Sequence, residues 1–319
     1  MQRISFAIPC FNEEENVVPC YDALNAVIKK LPGYRFEFIF ADNGSADHTR
    51  QRIVSLAHKD KRVKGIFLSR NFGPEASGQA VLDYAAGDAV IPYECDMQDP
   101  PEVIPMFIKK WEEGYDSVVG VRTKIEDNPF MTLVRTLYYR LFRAVSDIDV
   151  PVNAGSFSLL DKKVIDAIRA MPEKYRLFRG LRAWAGFKTA YVPYKRRKRT
   201  YGKSSYTFFG YIQHAQRSFF GFSYFLLSII VYVGLLFTFF SFSFLIGYLA
   251  WHIVTVTPIN PLVALLLAGI FLGGIQLLAI SVVGKYIQVI VEETKNRPLY
   301  IVDQTINTPP LSFKSEIRT

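Results

Sequence analysis

The sequence predicts an α/β fold with a mostly parallel sheet, followed by helices that span a membrane. Short apolar runs alternate with stretches of helical periodicity through residues 4–121, and two long stretches without charge lie nearer the C-terminus. Strands that alternate with helices of this length imply right-handed crossovers between parallel strands. We therefore expect a Rossmann-like sheet with helices on both faces, ahead of the apolar stretches.

The individual elements follow from the pattern of apolar residues. The expected strands are 4–9, 37–41, 63–69, 89–94 and 116–121, and the expected helices are 14–30, 46–58, 74–86 and 101–113. Open sheets of this kind bind ligands beyond the carboxyl ends of the strands. The residues at those ends are polar or charged: Cys10–Glu15, Asp42–Ser45, Arg70–Phe72, Glu94–Asp99 and Arg122. No G-x-G-x-x-G or G-x-x-x-x-G-K-[ST] motif occurs, which argues against a dinucleotide dehydrogenase and a phosphate-loop hydrolase.

Two stretches, 223–254 and 261–284, contain no Lys, Arg, Asp or Glu. Each is longer than the roughly 20 apolar residues that cross a bilayer, so we expect spanning helices over about 223–252 and 261–290. Two buried helices in a large soluble core are the alternative interpretation. The stretch 209–222 is a candidate interfacial helix. Lys and Arg flank both spans, which predicts an inner-membrane protein with both termini in the cytoplasm: a cytoplasmic domain over 1–208 and a cytoplasmic tail over 291–319.

The formal net charge is +9, and its densest part is the run KRRKR at 195–199. Such a run can bind anionic lipid or a lipid phosphate, form a solvated face, or bind nucleic acid. Its position shortly before an apolar stretch favours the lipid and disfavours nucleic acid. Three cysteines without a C-x-x-C pair and four scattered histidines favour neither a disulfide framework nor a structural zinc site.

Nine segments occur in an order that points to one family. They are FAIPCFNEEENV (6–17), FIFADNGSADHT (38–49), LSRNFGPEAS (68–77), ECDMQDPPE (94–102), YDSVVGVR (115–122), NAGSFSLLDKKV (153–164), YRLFRGLRAWAGF (175–187), RTYGKSSY (199–206) and VGKYIQVIVEETKNRPLYIV (283–302). Together they resemble family-2 glycosyltransferases of the branch that acts on polyprenyl phosphates, which contains bactoprenol glucosyltransferase and dolichyl-phosphate mannose synthase. The resemblance implies a GT-A type sheet and a nucleotide-sugar donor.

The acidic segment after the fourth expected strand is the candidate metal site. Charge grows on a departing nucleoside diphosphate, and Mg²⁺ or Mn²⁺ held by carboxylates can neutralise it. The family pattern there is Asp-x-Asp, so the resemblance assigns the metal to Asp96 and Glu94, with Asp99 as a further catalytic candidate. Glu94 replaces the first Asp of the pattern and reaches one methylene further, which makes Asp96 the safer ligand. In the alternative interpretation these acids only begin the next helix.

The resemblance also implies which residues contact the donor nucleotide. Asp42 matches the first Asp of the family's Asp-Asp-Gly-Ser, while Asn43 replaces the second, and Phe11 can lie against the base. A turn with a helix N-cap is the other interpretation of Asp42–Ser45, and both roles can coexist. The full set of donor candidates is Pro9, Phe11, Asn12, Glu13, Asp42, Asn43, Cys95 and Gln98.

The acceptor side departs from the family pattern. Where bactoprenol glucosyltransferases read Gly-Asp-Phe-Arg-Leu, this sequence has Ser156 and Ser158 in place of the Asp and the Arg. A carboxylate base is therefore absent, although Ser156 stays a catalytic candidate. A phosphate monoester, with a second pKa of about 6, is already largely a dianion and needs to be positioned rather than deprotonated. By the resemblance, the candidates that bind its phosphate are Arg122, Arg135, Arg199, Arg179 and Lys203.

These expectations combine into one function and two rivals. The expected reaction is an inverting transfer of a monosaccharide from a nucleotide sugar, with UDP favoured, to a polyprenyl phosphate at the cytoplasmic leaflet. The family resemblance further implies a homo-oligomer such as a tetramer and a separate flippase. One rival is a processive polysaccharide synthase, although RGLRAW at 179–184 lacks the Gln of its Gln-x-x-Arg-Trp motif. The other is a membrane scaffold without activity, suggested by the departures at 43, 94, 156 and 158.

Overall fold

The computed structural model describes residues 1–123, 153–174, 176–197, 254 and 261–310. The described residues belong to two compact units. One holds a sheet, the helices packed on it and residues 297–310. The other holds a long helix over Pro261–Thr294. The predicted interfacial helix (209–222) and the first predicted span (about 223–252) lie outside the described residues.

The strands and helices of the first unit follow the predicted alternation. The strands are β1 Arg3–Cys10, β2 Arg35–Asp42, β3 Val63–Leu68, β4 Ala89–Pro92, β5 Ser117–Arg122, β6 Ala154–Asp161, β7 Thr189–Tyr194 and β8 Val302–Ile306. The helices are α1 Val17–Ile28, α2 Thr49–Lys59, α3 Pro74–Tyr84, α4 Ile104–Glu112 (after a 3₁₀ turn at Pro101–Val103), α5 Lys162–Ala170, α6 Phe178–Trp184 and, in the second unit, α7 Pro261–Thr294. The five expected strands and the four expected helices between them are confirmed, within a few residues at their ends.

The sheet is mixed, with the strand order β7-β5-β6-β4-β1-β2-β3-β8. β1 pairs in parallel with β2 and β4, β2 with β3, and β5 with β7. β6 runs antiparallel to both of its neighbours, and β8 runs antiparallel to β3. The expectation of a mostly parallel sheet is correct for the first five strands and incomplete for the whole, because it did not include β6 or β8. Strand order reverses between β1 and β4, so the carboxyl ends of these two strands border the switch point.

Side chains of β1 alternate between two faces, and helices cover both. Ile4, Phe6 and Ile8 are fully buried in one apolar core together with residues of α1, α2 and α4. The Phe6 ring stacks on Phe38 of the neighbouring strand with the ring centroids 5.3 Å apart. On the opposite face, the Ser5 hydroxyl donates to Glu37 and accepts from the Gly87 amide, just beyond the end of α3. Burial on both faces explains why the strand sequence is apolar almost throughout.

The segment expected to be a tail returns to the sheet as β8. Its register places Gly65 opposite Ile306. Just before the strand, the buried Tyr300 hydroxyl donates to Asp83 of α3 at 2.7 Å. At its far end, the Asn307 amide donates to the backbone oxygens of Ala57 (2.6 Å) and Val63 (2.8 Å). The edge of β3 is therefore covered by residues from the end of the chain, which protects it from pairing with other chains.

Helix α7 covers the stretch predicted as the second span. Over the residues whose side chains the structure describes, no helix combines the length and the apolar content needed to cross a membrane.

Asn307 tests how firmly β8 is attached. Its backbone φ is +59°, and its amide group makes two hydrogen bonds to backbone oxygens. Loss of these bonds in Asn307→Gly should cost about 1–3 kcal/mol, and Asn307→Ala should cost about 1 kcal/mol more because alanine is strained at positive φ. Melting temperatures of the purified full-length protein should fall in that order. Lys61→Ala, which removes only an exposed contact to Asn307, serves as the control.

Candidate active site

The site lies at the switch point, where the loops after β1, β2, β3 and β4 come together. The loops after β1 and β2 hold each other through Asn12: its amide N–H donates to the Ser45 hydroxyl, and its side-chain oxygen accepts from the Ala46 N–H, both at 2.9 Å. The φ of Asn12 is +54°, a left-handed conformation that Asn tolerates better than most residues. The Glu13 N–H also donates to the Thr49 hydroxyl at 2.8 Å. These bonds fix the loop that carries Phe11, which is partly buried.

Asp42 and Asn43 are both buried, each 2% exposed, and both hold loops together. Asp42 ends β2, and its carboxylate accepts from the Ser45 N–H at 3.1 Å, as the turn interpretation predicts. The Asn43 side chain donates to Asn71 and to the Gly73 oxygen, both at 3.1 Å, and accepts from the Phe72 N–H at 3.0 Å. An Asp at 43 could accept from Phe72 but could not donate. The departure from the family's second Asp therefore has a structural reason, because the amide of Asn43 orders the loop after β3.

The loop after β4 is anchored by Asp99, which is 1% exposed. The Tyr194 hydroxyl at the end of β7 donates to the Asp99 carboxylate at 2.5 Å, and the Tyr93 hydroxyl donates to the Asp99 backbone oxygen at 2.6 Å. The Arg122 Nε at the end of β5 donates to the Tyr194 oxygen at 3.3 Å. Asp99 thus joins the ends of three strands, and Tyr194 is a site residue that sequence reasoning missed. The only signal for it was an aromatic residue directly before the basic run.

The charges at these strand ends shift one another's pKa values. Burial raises the pKa of Glu94, and the nearby carboxylates of Asp99 and Asp96 raise it further. Burial, together with the Asp99 carboxylate, raises the pKa of the Tyr194 hydroxyl. Burial opposes the charged form of Arg122, but Asp99 outweighs it and raises the pKa of the guanidinium. The site is therefore an acidic group with Arg122 beside it. The repulsion among its carboxylates favours the binding of another cation.

The basic run supplies a cation that the sequence did not indicate. The Arg196 guanidinium lies 2.8 Å from Glu94 Oε2, and its Nε lies 3.6 Å from Asp99 Oδ1. The Arg197 N–H donates to the Gln98 backbone oxygen at 2.8 Å, and its guanidinium pairs with Glu102 at 3.0 Å. The first arginines of the run thus pair with the protein's own acidic segment. The expected contact of the run with lipid stays a prediction for its other residues, Lys195, Lys198 and Arg199.

The residues present suit a divalent cation that is held only partly by protein. Asp96 is 9% exposed, and its carboxylate accepts a hydrogen bond from the Gln98 N–H at 3.1 Å. In the described part of the chain no Lys or Arg forms an ion pair with Asp96. Within the same residues, no group of three or more His, Cys, Asp or Glu side chains is spaced to hold a metal ion. Mg²⁺ bound through one or two carboxylates and substrate phosphates needs no such group.

The acceptor candidates are only partly brought together. Arg122 lies against β6: a Cβ built on Gly155 would come within 3.1 Å of its guanidinium. Ser156 follows in β6 and is partly exposed, and its backbone oxygen accepts from the Ser158 hydroxyl at 2.9 Å. Arg179 belongs to α6. Burial lowers the pKa of the neighbouring Arg182 guanidinium, and the positive charge of Arg179 lowers it further. Arg135, Arg199 and Lys203 lie outside the described residues.

Of the remaining donor candidates, Cys95 lies in the apolar core, and the role of Pro9 stays a prediction. Cys95 is 3% exposed and belongs to the apolar core, close to Cys10 and Cys20. Burial raises the pKa of Cys10, and the interaction with Cys95 raises it further, as expected for inert thiols. The Cys95 side chain is therefore in the core rather than at the ligand surface. Pro9 lies within β1 opposite Ala41, partly buried.

The chain is similar in sequence to known glycosyltransferases along most of its length. The sequence profile of Glycosyl transferase family 2 matches residues 5–169. The SfII prophage-derived bactoprenol glucosyl transferase of Shigella flexneri is 36% identical over 95% of this chain and 98% of its own length. An uncharacterized glycosyltransferase of Synechocystis is 33% identical over 94% of each chain. Among solved structures, glucosyl-3-phosphoglycerate synthase of Mycobacterium tuberculosis, in complex with Mn²⁺, UDP and its product, has a TM-score of 0.49 and 17% identity over 69% of this chain and 78% of that chain.

The chain forms an open α/β sheet with charged loops at its switch point, and it is similar along its length to glycosyltransferases. We conclude that it is a glycosyltransferase. The matched profile covers half of the chain, and relatives above 30% identity cover nearly all of it. The protein therefore belongs to glycosyl transferase family 2.

Asn43→Asp tests the structural role of the Asn43 amide. The substitution places a carboxylate oxygen against two acceptors, Asn71 Oδ1 and Gly73 O, and should destabilise the protein by about 1–3 kcal/mol. Arg70 is already exposed, so the freed loop should fit the trypsin active site more readily and cleavage there should accelerate. Gln51→Glu adds the same charge at an exposed position of α2 and controls for net charge. Wild-type cleavage kinetics in Asn43→Asp would contradict this role.

Glu94→Gln tests the electrostatics of the acidic segment. Because the pKa of Glu94 is raised in the folded protein, the folded state binds its proton more tightly than the unfolded state, and ionised Glu94 is unfavourable above that pKa. Without metal, Glu94→Gln should melt above the wild type at about pH 8, and the gap should close as the pH falls below the raised pKa. Glu102→Gln, which neutralises an exposed acid, should show no such dependence. An equal gap at both ends of the pH range would contradict the assignment.

Proposed function

We propose that this glycosyltransferase passes a monosaccharide from a UDP-sugar to a polyprenyl phosphate, with inversion at the anomeric carbon. One observation carries the proposal. Asp96 lies in the loop at the switch point of the sheet, and it is a nearly buried carboxylate without an ion-pair partner among the described residues. The relatives of this chain include bactoprenol glucosyl transferases. The names of those relatives make UDP-glucose and undecaprenyl phosphate the first substrates to test.

The chemistry asks for positioned charges more than for a base. An acceptor phosphate is already dianionic near neutral pH, so its oxygen can attack the anomeric carbon in a single displacement while the bond to the diphosphate breaks. A bound Mg²⁺ or Mn²⁺ supplies positive charge to the departing diphosphate. Asp96 and Glu94 are the residues that would hold such an ion. Arg122, with its charged form favoured by Asp99, is placed at the end of β5 to bind an acceptor phosphate, and Ser156 lies beyond Gly155 in β6.

The acceptor is a membrane lipid, so the proposal includes attachment to the membrane. The support is in the sequence: residues 223–254 and 261–284 are free of charged side chains, and basic residues flank them. We place the protein in the inner membrane with two spans and with both termini in the cytoplasm. A homo-oligomer and a separate flippase for the lipid product belong to the same proposal.

The experiment is direct transfer. Purified full-length protein in detergent is incubated with undecaprenyl phosphate, Mn²⁺ or Mg²⁺ and labelled UDP-glucose, and the lipid fraction is analysed. We expect one sugar per lipid, and we expect Asp96→Asn to lower the rate by at least about 100-fold because the departing diphosphate loses its counter-charge. Asp22→Asn, the same change at an exposed position of α1, is the matched control.

Several outcomes would contradict the proposal. A lipid carrying a chain of sugars would indicate a processive synthase instead. Absence of transfer from every UDP- and GDP-sugar tested, with Asp96→Asn leaving cellular glycolipid unchanged, would indicate a protein that keeps the fold without the activity.

A further inference from the structure

Arg196 contacts two carboxylates of the acidic group at the switch point. Its side chain is 26% exposed, and its guanidinium lies near Glu94 (2.8 Å) and Asp99 (3.6 Å), although Glu94 is 102 residues away along the chain. These two carboxylates, together with Asp96, are the ones whose mutual repulsion raises the pKa of Glu94. In the described structure Arg196 offsets this repulsion together with Arg122, and it is the cation in direct contact with Glu94.

The fit of Arg196 to these carboxylates is incomplete. Its Nε is buried and has no hydrogen-bond partner among the described residues, because 3.6 Å to Asp99 is too long for one. The Asp99 Oδ1 that faces Arg196 already accepts from the Tyr194 hydroxyl at 2.5 Å. A guanidinium usually pairs with a carboxylate through two parallel bonds, and here a single strong contact to Glu94 remains. A buried donor without an acceptor costs about 1–3 kcal/mol, so the position holds Arg196 less firmly than its burial suggests.

The backbone around Arg196 is held independently of its side chain. The Arg197 N–H donates to the Gln98 oxygen at 2.8 Å, and the Arg197 guanidinium pairs with Glu102 at 3.0 Å. Tyr194, two residues before Arg196, is held by Asp99 and Arg122. The Arg196 side chain can therefore leave Glu94 by rotation about its own bonds while the segment stays beside the acidic loop.

We propose that Arg196 is a resident counter-ion of the donor site: it neutralises Glu94 in the empty protein, yields Glu94 to the divalent cation that arrives with a nucleoside diphosphate, and then binds a phosphate oxygen of that diphosphate. The exchange conserves favourable contacts. The carboxylates gain a doubly charged ion, and the guanidinium gains an oxyanion with which it can form two parallel bonds. No covalent bond changes. This role rests on the proposed function only in assuming that the site takes a metal-bound diphosphate.

The proposal predicts effects of opposite sign on two ligands, which a merely structural role would not produce. In Arg196→Gln, binding of Mn²⁺ alone should tighten by about 5-fold or more, because the competing cation is gone. Binding of UDP in saturating Mn²⁺ should weaken by about 10-fold, because one charge-assisted contact is lost. Arg196→Lys should lie between the wild type and Arg196→Gln on both measures.

The measurements use the full-length protein in detergent, without lipid acceptor or sugar transfer. Free Mn²⁺ is counted by electron paramagnetic resonance, and UDP binding is measured by calorimetry. Arg197→Gln is the matched control: it is adjacent, removes the same charge and breaks an exposed pair with Glu102. It should leave both affinities within about 2-fold of the wild type.

The two hypotheses fail in different ways. If Arg196→Gln leaves Mn²⁺ binding unchanged or weakens it, or leaves UDP binding in Mn²⁺ unchanged, the counter-ion role is overturned. The same holds if neither protein binds Mn²⁺ even with UDP present. If the opposite shifts appear but no sugar reaches a polyprenyl phosphate, Arg196 acts as proposed and only the proposed acceptor is wrong.

Discussion

The buried carboxylate of Asp99 is the constraint on which the rest of the site depends. An ionised acid that is 1% exposed is costly unless donors and cations surround it. Here the donor is the Tyr194 hydroxyl, and the cations nearby are Arg122 and Arg196. Because these partners come from the ends of β5 and β7, and Asp99 from the loop after β4, the electrostatic requirement of one side chain fixes the relative positions of three strand ends.

The remaining loops of the site fix one another in the same way. Asn12 bridges the loops after β1 and β2, and Asn43 bridges the loops after β2 and β3. Polar side chains are used here as mutual supports, with their donors and acceptors satisfied inside the protein. Such loops are ordered before a ligand arrives, so little conformational entropy is lost on binding. The parts left to respond to a ligand are side chains such as Phe11 and Arg196.

Much of the sheet and the place of the site could be predicted from the sequence, for a simple reason. Parallel strands buried on both faces are continuous apolar runs, and the polar residues that follow them mark their carboxyl ends. β8 could not be found this way, since its sequence VDQTI is largely polar on an edge strand. β6 could not be found either, since serines at 156 and 158 interrupt its apolar residues. Arg196 lies 102 residues from Glu94, so no local pattern relates them. The structural role of Asn43 could not be predicted either, because its three partners belong to the loop after β3.

The pairing of β8 with β3 has a consequence for the order in which the sheet folds. β3 ends at Leu68, but the strand that covers its edge begins at Val302, after every other described element along the chain. Until then the β3 edge presents unpaired backbone groups, a surface prone to association with other chains. The long separation also makes this pairing a late and slow step of folding.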